Sequence, residues 1–229
     1  MIVRMKYSKT VAGRFLSHLD LLRTFERVFR RACLPLAFSE GFNPHPKISY
    51  GSALAVGVTS DGEYLDVEFT EELSLNDMMK RLLAVLPPGL QVLELQRLDT
   101  RVKSLTAVIN MARYRVEVAL RHAYTQDQID EVIGRIMSEP ELVISRDRKK
   151  DRIEIDIKKG IYALRGFVTD RKLLFEMELQ TGSDGNVRPE EIVELIKKFG
   201  NIDMEEYLRI HRQGLYIRDN THFRSPMEI

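Results

Sequence analysis

Between Phe15 and Lys47 the chain concentrates more groups able to hold an anion than any other stretch. Arg23, Arg27, Arg30 and Arg31 are spaced i, i+4, i+7 and i+8, which places four guanidiniums on one continuous helix face. Each guanidinium can grip a phosphate with two parallel hydrogen bonds. This helix runs into Ser39-Glu40-Gly41-Phe42-Asn43-Pro44-His45-Pro46-Lys47. Gly41 tolerates backbone angles that other residues avoid, and Pro44 and Pro46 stiffen the chain on both sides of His45. Asn43 offers a donor and an acceptor, Lys47 a positive charge, and Phe42 a ring on which a base can stack. Together they point to a nucleic-acid or anion-binding surface made of Arg23, Arg27, Arg30, Arg31, Phe42, Asn43, His45 and Lys47. The plainer alternative is a solvated helix face paired with the acidic segment 61–77, followed by a rigid connector whose Phe42 packs inward.

No residue is assigned a catalytic role on the leading reading. The alternative pairs His18 with His45 as acid and base for cleaving RNA at a 2′-hydroxyl, since imidazole titrates near neutral pH. His18 projects toward the apolar side of its helix, which equally suits a half-buried structural histidine. His122, His211 and His222 are scattered without zinc-ligand spacing. Glu63, Asp66 and Glu68 alternate as the polar face of a strand, with Glu63 and Asp66 on opposite faces, so no metal is expected. Gly57 to Gly62 reads as a turn, and Arg146 to Asp151 as a hairpin tip.

Of 229 residues, 44% are hydrophobic and 30% charged, as in an ordinary globular protein. No apolar run approaches the ~20 residues of a membrane helix, so no membrane association is expected. The single cysteine, Cys33, excludes an internal disulfide or an iron–sulfur cluster held by this chain alone, and no cofactor is expected. The start reads as a strand rather than a signal peptide, and the expected location is the cytoplasm. The net charge of +1 hides an asymmetry. Residues 1–50 hold nine Lys/Arg against three Asp/Glu, and residues 51–100 hold three against nine.

Hydrophobic periodicity supplies the elements that must position these groups. A strand over 2–8 precedes a helix from the N-cap Ser17 to about Cys33, with Leu22, Phe25, Val28, Phe29 and Ala32 inward. Extended segments at 47–58 and 62–70, hinged at Thr59–Gly62, lead to a helix over 74–86 and a strand over 90–97. The second half shows a strand at 112–121 and a helix at 125–137, then strands at 141–146, 151–157, 161–168 and 171–180. A helix through Phe199 and a strand at 205–217 complete it. The rhythm predicts an α+β fold of two tandem ferredoxin-like (βαββαβ) units packed together, the second with an extra hairpin. The expected division is 1–97, a linker at 98–111, and 112–229.

The runs "FLSHLDLLRTFERVFRRACLPLAFSEGFNPHPKISYGSALAVGVTSDGEYLD", "SLTAVINMARYRVEV" and "NVRPEEIVELI" resemble a bacterial, radical-SAM-linked family of unknown function. Its members stand alone or are similar to the C-terminal extension of certain radical SAM proteins. The resemblance implies a radical SAM protein as partner, but no reaction and no catalytic residues. A weaker resemblance, of architecture only, is to the CRISPR repeat-processing endoribonucleases. The expectation is an accessory binding module, not an enzyme, that binds RNA through the basic helix and adjacent loop. The alternatives are a metal-independent endoribonuclease, or a protein-interaction or small-molecule-binding adaptor of the radical SAM partner without RNA binding.

Overall fold

Val3, Met5 and Tyr7 project to one side of the first strand, β1 (Ile2–Lys9), and are almost completely buried. Against them lies α1 (His18–Arg31), whose Leu21, Phe25, Val28 and Phe29 face inward. Phe25 meets Tyr7 edge-on at 4.7 Å between ring centroids, and Phe29 meets Phe69 in the same way at 6.3 Å. Burial of each such ring is worth ~1.5–3 kcal/mol, which fixes the helix to the sheet. Local chemistry sets the ends of α1. The Ser17 hydroxyl oxygen accepts the Asp20 N–H at 3.2 Å. At the other end Cys33 turns into the left-handed region (φ 52°), and Leu34 N–H donates to the Phe29 carbonyl at 3.1 Å. That is a Schellman stop, although a glycine is the usual residue there.

In the computed structural model, which describes residues 1–98, 103–147 and 151–229, the chain forms two compact units. One comprises Met1–Asn110 and Arg212–Ile229, the other Met111–His211. The expected division placed all of 112–229 in the second half. The residues from Arg212 onward instead belong to the first unit, anchored by a buried ion pair described below.

The first unit contains, after β1 and α1, strands β2 (Ile48–Tyr50) and β3 (Thr59–Glu68), helix α2 (Leu75–Leu83) and strand β4 (Leu90–Leu98). Strand β1 lies between β4 and β3 and is antiparallel to both, while β2 pairs antiparallel with β3. Met78 and Leu82 of α2 join the same core as α1. Two expectations need correction here. Only 48–50 of the extended segment 47–58 is strand, and Thr59–Gly62 is not a hinge but the start of β3. The edge of β3 is instead taken by the second part of a long strand, β10 (Met204–Asp219). Gly62 fits this crossing, because a Cβ there would lie 2.9 Å from Gly214 Cα.

Residues 99–102 of the expected linker lie outside the described residues. Within the rest of it, Leu105–Val108 forms a short helix, α3. The second unit begins with β5 (Met111–Leu120) and α4 (Gln126–Ser138), whose Thr125–Gln128 capping box closes its N-terminus. The hairpin β6 (Val143–Asp147) and β7 (Arg152–Asp156) follows; residues 148–150 of its expected tip lie outside the described residues. Strands β8 (Ile161–Thr169) and β9 (Lys172–Gln180), helix α5 (Pro189–Gly200) and the first part of β10 complete the unit. Its strand order is β10-β5-β9-β8. Pro189 at the first helical position and Asn201 in the left-handed region bound α5. The fold class is α+β, as the periodicity predicts.

Candidate functional site

Arg23, Arg27, Arg30 and Arg31 all lie exposed on α1, opposite the face that carries Phe25 and Phe29. Among the described residues none of the four forms an ion pair. By contrast Arg81, Arg97, Arg113, Arg146 and Arg212 each sit on a carboxylate. Five acids of 61–77 pair with cations outside α1: Glu63 with Arg212, Asp66 with Arg4, Glu68 with Lys47, Glu72 with Arg97 and Asp77 with Arg81. Helix α1 also carries two carboxylates of its own, Glu26 and, in the first turn, Asp20. The Asp20 carboxyl is held below the usual range, first by the Ser17 hydroxyl at 2.6 Å and to a lesser degree by the Arg23 charge.

The loop beyond α1 is closed by its own backbone. Ser39 N–H donates to the His45 carbonyl at 2.8 Å, and His45 N–H donates to Ser39 Oγ at 3.0 Å. Gly41 has φ 118°, a conformation that L side chains rarely adopt. Phe42, Asn43, Pro44 and His45 are exposed, and the Phe42 ring is fully so. Phe42 therefore does not pack inward. Lys47 lies 3.5 Å from Glu68, so part of its charge is already answered. His18 is half-buried with its ring edge-on to Tyr50 at 5.9 Å. Among the described residues no hydrogen bond or ring contact brings His18 and His45 together.

Sequence patterning missed a buried polar cluster in the same unit. Arg212 and Glu63 are 2–3% exposed and form a two-pronged ion pair, with Arg212 Nε 2.7 Å from Glu63 Oε1. The guanidinium also donates to the carbonyls of Ser52 at 3.0 Å and Ala53 at 3.4 Å. Beside it Lys9 is 1% exposed, and its ammonium reaches the carbonyls of Arg14, Leu16 and Ala55 at 3.2–3.4 Å. Burial pushes Lys9 down to about 8; the Glu63 charge opposes the shift and that of Arg212 adds to it. Burial raises the Tyr7 phenol well above its ordinary value, reinforced by Glu63. On the other face of β1, Arg4 is fully buried, held by Asp66 at 2.8 and 2.9 Å and by the Pro226 carbonyl at 2.6 Å. These charges position loops 10–17 and 51–58 rather than offering open chemistry.

One cleft does open beside the arginine face. Leu16, Thr24, Arg27, Val28 and Arg31 form one side, and Val85, Pro87 and Pro88 the other, around about 220 Å³.

With this geometry in hand, comparison with known proteins places the chain. The family described as "Uncharacterized protein conserved in bacteria (DUF2344)" matches residues 3–189. The chain belongs to this family. The match includes α1, the Gly41–Lys47 loop and Glu63, whereas Arg212 lies beyond it. No curated protein matches the chain. Among solved structures it is similar to a chain in the crystal structure of a Cbf5-Nop10-Gar1 complex, with TM-score 0.53 and 12% identity over 92% of this chain and 47% of that one. A chain in the archaeal box H/ACA sRNP Nop10-Cbf5 complex gives TM-score 0.50 and 12% identity over 93% and 48%. The protein thus spans about half the length of these two chains, and at this identity the likeness is one of fold. No helix among the described residues is long and apolar enough to cross a membrane.

Proposed function

We propose that this protein is a non-enzymatic RNA-binding module that serves a radical SAM enzyme in the cytoplasm, holding RNA backbone on the exposed face of α1 with the Gly41–Lys47 loop alongside. The observation that carries the reading is the set of four solvent-facing guanidiniums with no ion pair among the described residues. A row of uncompensated guanidiniums attracts a polyanion and releases its counterions on contact. Phe42 adds an exposed ring for base stacking. The RNA-associated complexes to which the fold is similar agree with an RNA role. The radical SAM partner follows from the family resemblance. The finer architecture is two ferredoxin-like units: the sheet orders β4-β1-β3-β2 and β10-β5-β9-β8 both support that reading.

Fluorescence anisotropy with labelled single-stranded RNA tests the proposal. With one phosphate per guanidinium the logarithmic salt slope is about −0.7 × 4, roughly −2.8, or about a 50-fold loss of affinity between about 50 and 200 mM salt. Changing Arg23, Arg27 and Arg30 together to Glu abolishes binding on this account. Unchanged affinity would remove α1 as the contact. RNA remaining intact after long incubation is the expected result, and fragments ending in 2′,3′-cyclic phosphate that vanish in His45→Ala would restore the endoribonuclease reading.

An adaptor role is favoured by a separate observation. Val11, Phe15, Leu19 and Val56 are each more than half exposed on the loops and helix end tied down by Lys9. Clustered exposed apolar residues of this size mark protein contacts. Association with the radical SAM partner that survives nuclease treatment is the corresponding expectation.

A further inference from the structure

We infer that the cleft between α1 and the Val85–Pro88 turn receives one unstacked nucleotide, its base in the cleft and its phosphate on Arg27 and Arg31. This deepens the RNA reading above and rests on it. Arg27 and Arg31 are one turn apart on α1, exposed, and without an ion pair among the described residues. At that spacing side chains on a helix are neighbours, so the two guanidiniums can converge on a single phosphate or flank a ring. Below them the surface changes character. Val28 is buried at the cleft wall, and Val85 and Pro87 are half-buried opposite. An apolar slot beneath two cations suits a group that is flat and uncharged at one end and anionic at the other. Unstacked bases also stack on guanidinium planes.

The volume narrows the choice further. Pockets for drug-sized ligands span ~300–1,000 Å³, and this cleft holds about 220 Å³. That is room for a single heterocycle rather than a dinucleotide cofactor. A base inside a duplex is stacked and paired, so occupancy requires a single strand or a loop. The cleft therefore adds a preference for unpaired RNA that the arginine face alone does not supply.

Two probes test this on the full chain. Saturation-transfer NMR with AMP, UMP and ribose 5-phosphate reports whether a base is needed, and anisotropy compares a single-stranded RNA with its duplex. Thr24→Phe fills the cleft while keeping every guanidinium, and Val85→Phe fills it from the opposite wall should the first variant fail to fold. Saturation should reach the base protons of AMP and UMP, with ribose 5-phosphate silent. Either filled variant should abolish that signal and weaken single-strand binding about 5- to 150-fold, the range for one lost base contact, with the salt slope and duplex binding unchanged. If ribose 5-phosphate binds as well as AMP, or folded filled variants bind single strands as the parent does, the cleft is not a base site and the arginine face stands alone. If the parent binds neither RNA at low salt, the RNA reading itself falls and the cleft proposal with it.

Discussion

Replacing Arg212 with methionine leaves the Glu63 carboxylate alone in the interior of the first unit. The guanidinium now meets both carboxylate oxygens and donates to two loop carbonyls, with both side chains 2–3% exposed. Removing one partner of a buried pair costs ~3–5 kcal/mol, because the remaining charge has neither water nor a counterion. The carbonyls of Ser52 and Ala53 each lose a donor, worth ~1 kcal/mol apiece. The total, about 5–7 kcal/mol, is comparable to the entire ~5–15 kcal/mol stability of a typical domain. Urea unfolding followed by circular dichroism should therefore show Arg212→Met largely unfolded or with a much lower midpoint. Because the penalty is that of a lone charge, Glu63→Leu combined with Arg212→Met should recover most of the loss. A single variant that loses less than about 1 kcal/mol, the level of an exposed pair, would refute the reasoning, as would a double variant no better than the single.

Phe42→Ala should leave stability within ~0.5 kcal/mol, since the ring touches solvent only, yet weaken RNA binding about 5- to 150-fold without altering the salt slope; equal affinity in anisotropy would exclude a stacking role. Cys33→Gly should stabilise the chain by ~0.5–1 kcal/mol, because a left-handed conformation strains any residue with a Cβ, and an unmoved or lowered urea midpoint would show that the Schellman stop carries no strain. Lys9 sits at about 8 in the folded chain against an ordinary 10.5, so between those values the unfolded chain binds more protons and stability rises with pH. Above about 10 the sign reverses, because Tyr7, Tyr50 and Tyr64 have raised values when folded, Tyr64 reaching about 12, and ionise first in the unfolded chain. Urea midpoints across this range should show the rise and then the fall, and Lys9→Met should lose only the rise.

Most elements were legible in the residues because each is specified locally. Phe25, Val28 and Phe29 recur at helical spacing, and Ser17 and Pro35 mark where that spacing starts and stops, so the expected 17–33 and the observed His18–Arg31 agree closely. The buried leucine of the first turn, however, is Leu21 rather than the expected Leu22. The strand expected at 205–217 is Met204–Asp219 for the same reason. The arginine face is equally local: helical geometry puts Arg23, Arg27, Arg30 and Arg31 together whatever the rest of the chain does. The failures share a cause as well. Thr59–Gly62 carries turn residues, and only the approach of Gly214 shows why a glycine belongs inside a strand there.

By itself the sequence determined the four longer helices, most strands, and the charge and chemistry of the exposed face, since these depend on neighbours within a few positions. Tertiary structure alone decided which charges are available. Arg4, Lys9, Glu63 and Arg212 look like surface residues in the sequence, yet they are buried and answered by partners 5 to 222 positions away. It also brought Val85, Pro87 and Pro88 across to Arg27 and Arg31. Coulomb attraction and packing act through space, so a lone guanidinium and a paired one are written with the same letter. Only the fold shows which is which.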